Sequence, residues 1–363
     1  MIIKLRKITK SIYKSIINNF FLIFHGKIRL NNKPKIKFFY IKKNKIFSKE
    51  NYKYKVYELE NSRVYTDCVE NVSVIYNNFL YPESSYQQIG GKLVRANSNQ
   101  ILKTGTPNYL KKIDGNILIL AQGASGDNYC HWLLDILPKL KLASLLYDLN
   151  KIDYFYFSKL NSFQLQILKL IGIDKKKFID TKKNKHCFSK KIIFTTHPNY
   201  FKGTFSEAQS NIPKWIIQYL RKKFLKLGKN KKKTYKKIYI DRSDSVFNHC
   251  KLINNSEVET FLKSKGFKVL KLSKLSFLNQ ITIFSNAKFI IGAHGAGLAN
   301  LIFCKKNTRV IEIKPHNHPN KIYQRISNIN HLNYELLKLK KIKNNIYGDM
   351  ILKTKELKKY IDL

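Results

Sequence analysis

Hydrophobic residues in the first 30 positions recur four apart, at Ile8, Ile12, Ile16, Phe20 and Phe24, with Lys7, Lys10 and Lys14 elsewhere on the wheel. That spacing predicts a basic amphipathic helix within 1–30. Its longest unbroken apolar run, Phe20 to Phe24, falls far short of the roughly 20 residues that cross a bilayer, and no cleavage-site pattern follows. The segment is therefore expected neither to span nor to export. Two roles stay open for its stripe: packing on the domain, or lying on an anionic membrane face. From 31 to 120, short strand-like runs at 36–41, 54–59, 72–76 and 117–120 alternate with polar turns. The stretch 82–91 reads as loop, and no internal repeat emerges.

Beyond 117 the pattern changes to strand–helix alternation, which predicts α/β architecture. The loop 122–127 leads into a helix starting near Asn128, where Asp127 or Asn128 fits the N-cap, and Pro138 is expected to kink it or end its first segment. A strand at 152–157, a helix at 163–171 stopped by Gly172, a strand at 191–196 and a helix at 213–227 complete a first domain over 31–227. The lysine-rich run 228–236 reads as an interdomain linker. A second domain over 237–345 opens with a strand at 237–241 that ends at Arg242. A capping box, Ser256-x-x-Glu259, opens a helix that Gly266 closes; strand 267–272 and helix 276–286 follow. Strands at 288–291 and 309–313 flank a glycine turn, and 346–363 reads as a C-terminal helix.

Composition adds little to the fold and more to the chemistry. A chain of 363 residues, 44% hydrophobic and 13% aromatic, can bury two sizeable cores. Five scattered cysteines, Cys68, Cys130, Cys187, Cys250 and Cys304, lack any C-x-x-C spacing, which points to reduced thiols filling cores and to a cytosolic compartment. The formal charge of +46 attracts polyanions. Of 69 basic residues eight are Arg, leaving 69 − 8 = 61 Lys spread along the whole chain, a compositional bias and not a nucleic-acid motif. Binding to nucleic acid would be salt-sensitive and non-specific.

Two stretches carry chemistry. Gly292, Gly295 and Gly297 surround His294 just past a strand, so the backbone can turn sharply and approach a diphosphate, although tight packing alone explains such glycines equally well. His131 and Asp135 stand four apart and share a helix face. Either the carboxylate merely orients a buried imidazole, or the pair works on a proton. His316 and His318, in P-H-N-H-P, have no carboxylate or cysteine nearby in sequence and read as surface loop. No D-x-D occurs, so no metal site is expected.

Four motifs occur in order: N-Y-C-H-W-L-L-D-I-L-P-K-L at 128–140, Ile238 to Arg242, Lys251 to Asn254, and I-G-A-H-G-A-G-L-A-N at 291–300 followed by V-I-E-I. Together they resemble glycosyltransferase family 61, over about 115–315, with Lys251 where arginine is more usual. The resemblance implies two facing Rossmann-like domains, the form called GT-B, with the donor nucleotide on the second and the acceptor on the first. It implies an inverting, metal-independent transfer of a hexose or pentose from a nucleotide diphosphate sugar to a hydroxyl, without a cofactor. Arg242, Lys251, Asn254 and the turn His294, Gly295, Ala296 and Gly297 would then hold the diphosphate. Asn300 and Glu312 would contact the nucleoside or ribose. His131 would be the general base and Asp135 its orienting partner, with Asn128 and Trp132 on the acceptor side. An imidazole, with an ordinary pKa of about 6.5, suits that task, and a helix start disfavours its protonated form. The expected partners are the nucleotide sugar, a glycan or lipid-linked acceptor and an anionic membrane surface, with no specific nucleic acid. Cell-surface polysaccharide synthesis on the cytoplasmic face of the plasma membrane is the expected setting. The competing reading is a non-catalytic polybasic module that binds nucleic acid or membrane on a degenerate transferase scaffold.

Overall fold

The computed structural model describes residues 2–30, 37–41, 53–89, 92–199, 204–228, 234–245, 249–342, 345 and 347–362. The chain divides into two units, Met1–Phe205 and Ser206–Leu363. Among the described residues, no helix is long and apolar enough to cross a membrane.

In the first unit the strands are β1 (Arg29–Leu30), β2 (Lys37–Tyr40), β3 (Lys55–Thr66), β4 (Val72–Tyr76) and β5 (Phe79–Leu80). They continue with β6 (Gln87–Ile89), β7 (Lys92–Val94), β8 (Leu110–Ile119), β9 (Tyr154–Tyr156) and β10 (His186–Thr195). Among the described residues eight of them form one sheet in the order β1-β5-β4-β3-β10-β8-β9, with β2 also paired to β3. β10, β8 and β9 pair in parallel, as the short β1 does with β5, whereas β3, β4 and β5 form an antiparallel meander. The parallel set follows the strand–helix alternation expected beyond 117, and the meander occupies the stretch where only short strand-like runs were expected. Its turn is local: Asn77 and Asn78 both adopt left-handed backbone, at φ 46° and 61°, and turn β4 straight back into β5.

From Ile117 on, β8 is buried on both faces beside β9, as parallel strands usually are. Ile117, Ile119 and Tyr156 join Tyr57, Val64, Val74, Ile192 and Phe194 in one core. Side chains of opposite parity, Leu118, Leu120, Phe155 and Phe157, are also buried, and Trp132 packs on Phe157 with ring centroids 5.6 Å apart. Trp132 thereby anchors the helical stretch 129–143 on the sheet. Pro138 marks a change of segment: a wide π turn over Trp132–Ile136 leads directly into the α-helix Leu137–Ala143, with Pro138 in its first turn. The helix Ser162–Ile171 stops at Gly172 as expected, at φ 87°. Residues 87–89, expected as loop, form β6. The expected strand 36–41 is described only as β2.

The second unit is a parallel sheet of β11 (Lys237–Asp241), β12 (Lys268–Lys271), β13 (Phe289–Ala293), β14 (Arg309–Pro315) and β15 (Asn333–Leu339). Its order among the described residues is β12-β11-β13-β14-β15. Helices Asn255–Ser264 and Thr354–Ile361 cover one face, where Val258, Leu262 and Leu357 meet Tyr239, Ile291 and Ile311. The helix Lys214–Phe224 belongs here as well, since Phe224 packs on Phe277 at 5.1 Å and Arg221 donates to the Cys304 carbonyl at 2.7 Å. Of the expected linker 228–236, residues 229–233 lie outside the described residues. The expected capping box is corrected by one turn geometry: the helix starts at Asn255, so Ser256 lies inside it and Asn254 is the cap residue. All five cysteines are buried, and none forms a disulfide.

Asn254 has a second task. Its amide accepts from Leu352 N at 3.1 Å and donates to Leu352 O at 2.8 Å, which fastens the C-terminal segment to the start of the helix Asn255–Ser264. Replacing Asn254 by Ala should lower unfolding free energy by about 1–2 kcal/mol, measured by chemical denaturation. An unchanged midpoint would mean that the tail is held without it.

Candidate functional site

The first polar cluster lies beyond the carboxyl ends of β8 and β10, two parallel neighbours, which is where open α/β sheets present loops to ligands. After β8, Gly123 lets the chain cross β6: a β-carbon there would stand 2.3 Å from the Glu70 carbonyl oxygen and 2.9 Å from Gln88 Cβ. Asn128 then caps the next helix, its side-chain oxygen accepting from Cys130 N at 2.9 Å and His131 N at 3.3 Å. On that helix His131 Nδ1 lies 2.7 Å from Asp135 Oδ2, and both side chains are buried. From the segment after β10, Asn199 donates to Asp135 Oδ1 at 2.9 Å.

Burial works to raise the Asp135 carboxyl, but the His131 hydrogen bond and charge, with His197 and Asn199, outweigh it and hold the group below its ordinary value. An ionised carboxylate only accepts, so Nδ1 of His131 carries the proton in the neutral ring and Nε2 keeps its lone pair. Gln88 Nε2 stands 3.1 Å from that nitrogen and donates to it. Gln88 Oε1 is buried without a hydrogen-bond partner. Lys139, one turn past Asp135, donates to Gln122 Oε1 at 2.8 Å; burial pulls its ammonium down to about 8, with Asp135 opposing. His197 is lowered to about 4 by burial, with Lys139 and His131 adding to the effect and Asp135 opposing.

The second cluster sits where the strand order of the second sheet reverses, between β11 and β13, the position at which such sheets open a crevice. Arg242 follows β11 and His294 follows β13. His294 Nδ1 lies 2.5 Å from Glu312 Oε1, and Tyr334 donates to the other carboxylate oxygen. Burial raises Glu312, yet His294 first and then Tyr334 and Lys314 hold it below its ordinary value. The His294 ring packs against the rings of His318, at 4.1 Å, and Tyr323, at 5.0 Å. His249 is lowered to about 4, by burial and then by Arg242 and His294.

Several expected donor residues have other work in this arrangement. The Arg242 guanidinium donates to the backbone carbonyls of His249, at 2.9 Å, and of His294. Gly295 is bare because that guanidinium lies against it: a β-carbon would stand 2.4 Å from Arg242 Cζ. A β-carbon at Gly297 would meet Leu272 Cδ1 at 2.7 Å. Ala296 and Gly297 begin the short helix Ala296–Phe303 and stay half-buried. Asn300 is fully buried and donates to Gln280 Oε1 at 2.8 Å. Glu312 is inside β14, opposite Gly292 in register, and not beyond the strand end. Lys251 is tied through its backbone to Asp349 and Met350. His316 is exposed as expected, whereas His318 turns inward to His294. Gln88, His197, Asn199, Tyr334 and His318 were not singled out for these clusters from sequence. The signal for His197 and Asn199 was their place just past a parallel strand end. Among the described residues, no three His, Cys, Asp or Glu side chains are grouped so as to hold a metal ion.

The family model for glycosyltransferase 61 matches residues 129–311, half of the chain, and takes in both the His131–Asp135 pair and the His294 turn. The chain belongs to glycosyltransferase family 61. The protein is thus a glycosyltransferase. No curated protein matches this transferase. Among solved structures it is similar to a mutant flavo di-iron protein from Thermotoga maritima, at 10% identity and a TM-score of 0.24, over 91% of this chain and 98% of that one. A likeness that low carries no argument about fold or chemistry.

The His197 environment gives a pH test. Its folded value lies below the unfolded one, so between about 6.5 and about 4 the unfolded chain binds a proton that the fold refuses, and stability falls as pH falls. The loss is at most about 1.4 kcal/mol per pH unit in that window. In His197→Gln the acid loss of unfolding free energy, measured by denaturant titration from neutral to mildly acidic pH, should be smaller by that slope. Equal slopes for both proteins would show that the fold protonates His197 readily.

Proposed function

We propose that this family 61 transferase moves a hexose or pentose from a nucleotide diphosphate sugar to a hydroxyl of a glycan or lipid-linked acceptor, with inversion and without a divalent metal. Synthesis of cell-surface polysaccharide or glycoconjugate, on the cytoplasmic side, belongs to the same reading. In the GT-B manner, the acceptor falls to the first unit and the donor nucleotide to the second. The observation that carries the reading is the buried His131–Asp135 pair, with Asn199 on the second carboxylate oxygen. A polyanion-binding module has no use for such a pair, because an exposed lysine surface suffices for it.

In the proposed reaction the acceptor hydroxyl displaces the Gln88 amide from the single lone pair of His131 Nε2 and gives its proton to that nitrogen, while its oxygen forms the new bond to the anomeric carbon. The bond from that carbon to the diphosphate breaks, and its electron pair leaves with the nucleoside diphosphate. Asp135 steadies the imidazolium that forms, through Nδ1–H, and Asn199 keeps Asp135 in place. On the donor side the departing charge is met by Lys251 and by the turn at His294 to Gly297, whose shape Arg242 maintains. Glu312 orients His294 with Nε2 toward a ligand, and Asn300 fixes the turn from within. Burial first of all holds His249 at about 4 and His318 at about 3, uncharged near neutral pH, so the positive charge offered to a diphosphate there would come from Arg242 and Lys314.

The test begins with a panel of nucleotide sugars, with nucleoside diphosphate release followed by mass spectrometry. With the donor that turns over, His131→Ala should lower kcat by about 10² to 10⁴ and leave donor affinity within experimental error. A chelator should not change the rate. Collapse of donor affinity with turnover retained would make His131 a binding residue, and loss of activity restored by manganese would overturn the metal-independent part.

A further inference from the structure

The helix Ile2–His25 has one docked end and one unpartnered face. Its last turn is held firmly. Phe21 is buried and packs edge-on against Tyr109 at 5.1 Å; Leu22 lies over Gly105, whose added β-carbon would stand 2.7 Å from Leu22 Cδ2. His25 Nε2 lies 3.1 Å from the Asn108 carbonyl oxygen, and its ring meets His186 at 4.8 Å. The stripe Leu5, Ile8, Ile12, Ile16, Phe20, Ile23 and Phe24 is exposed, Ile23 to 81%.

Helix geometry fixes how these faces relate. At about 100° per residue, Phe21, Leu22 and His25 lie roughly 120–180° round the wheel from Ile16, the middle of the stripe. Lys10 and Lys14 fall on the same side as the docking residues, about 120–160° from Ile16. The stripe therefore faces away from the sheet that anchors the helix, and it does so over about 28 Å of helix axis. The packing role left open for it in the sequence is excluded for these residues.

We infer that this helix is a membrane-docking surface for an anionic bilayer, lying in the plane of the interface with its stripe in the lipid. Charge complementarity selects this occupant. The segment contains Arg6, Lys10 and Lys14, has no acidic residue, and belongs to a chain of net charge +46. A second copy pairing stripe to stripe would bring together two chains that each carry a net charge of +46, with no carboxylate on either helix to offset it. Anionic headgroups supply the missing charge, and Phe20, Phe24 and Tyr13 suit the boundary between headgroup and acyl chain. The inference does not rest on the transferase reading.

Co-sedimentation of the full chain with phosphatidylglycerol–phosphatidylcholine vesicles tests it, beside the double variant Ile12→Asp, Ile16→Asp. Both positions are exposed, so the variant should keep the thermal melt of the parent. The parent should bind, bind pure phosphatidylcholine less, and keep part of its binding in high salt. The variant should bind at least about tenfold more weakly, since each isoleucine removed from lipid forfeits a tenfold or larger factor. Equal binding by both proteins would assign attachment to diffuse lysine charge and overturn the inference. So would no binding by the parent, equal binding to both vesicle types, or a parent that light scattering shows to be a dimer while the variant is a monomer.

Discussion

Each unit buries one carboxylate against one imidazole, and much of the local structure follows from the cost of doing so. Removing an ionised carboxylate from water costs several kcal/mol unless its lone pairs are met. Asp135 meets this constraint with His131 and Asn199, drawn from a helix and from the segment after β10. Glu312 meets it with His294 and Tyr334, drawn from the turn after β13 and from β15. The result in both cases is a histidine fixed by Nδ1, with the other nitrogen's chemistry set by the carboxylate it never touches. Two units with different sheet topologies thus reach the same local solution.

The glycines serve that solution by letting chain segments approach. Gly123 allows β6 to cross the loop after β8 and so delivers Gln88 to His131. Gly295 allows the Arg242 guanidinium to lie flat against the turn and take the His294 carbonyl. In both places a single β-carbon would displace the polar group that shapes the site, so the glycine pattern reports close packing around a ligand site as much as room for a ligand. This is why glycine spacing alone does not separate the two readings.

Legibility in the sequence followed burial. The second sheet was readable because β11, β13 and β14 are mainly buried on both faces, with apolar cores at 238–240, 289–291 and 310–311, and are separated by helices. The first was obscured where polar residues occupy strands: β3 runs on through Glu60, Asn61, Ser62 and Arg63, with Asn61 at φ 47°, and the register between β10 and β8 shifts between Ser189 and Lys191. A bulge of that kind breaks the alternation that marks a strand. β8 likewise begins among Lys111, Lys112 and Asp114. His131, Asp135 and His294 were legible through their motifs, and each histidine was found paired with a carboxylate. Tyr334 and Gln88 were not, because each reaches its histidine or carboxylate only through a strand pairing that spacing does not encode.

The scarcity of acids bears on which group in the first unit can take a proton. With 23 acidic residues against 69 basic ones, the carboxylates that remain are largely committed to local structure. Asp67 accepts from the backbone of Val69, Glu70 and Asn71, and Asp153 from Asn116; Asp148 and Asp174 cap short helical turns. Glu58 is engaged by Tyr147 and Lys191, and Asp127 by Lys159 and Asn161. Glu70 differs: it is raised above its ordinary value, by burial and then by Asp67, and its carbonyl receives Gln88 N at 3.0 Å beside Gly123. It is the carboxyl that most nearly rivals His131 as a base. Yet no side chain among the described residues orients the Glu70 carboxyl, whereas His131 is held at Nδ1 by the buried Asp135 carboxylate. A base must be positioned before it can be strong, and on that criterion the imidazole has the advantage.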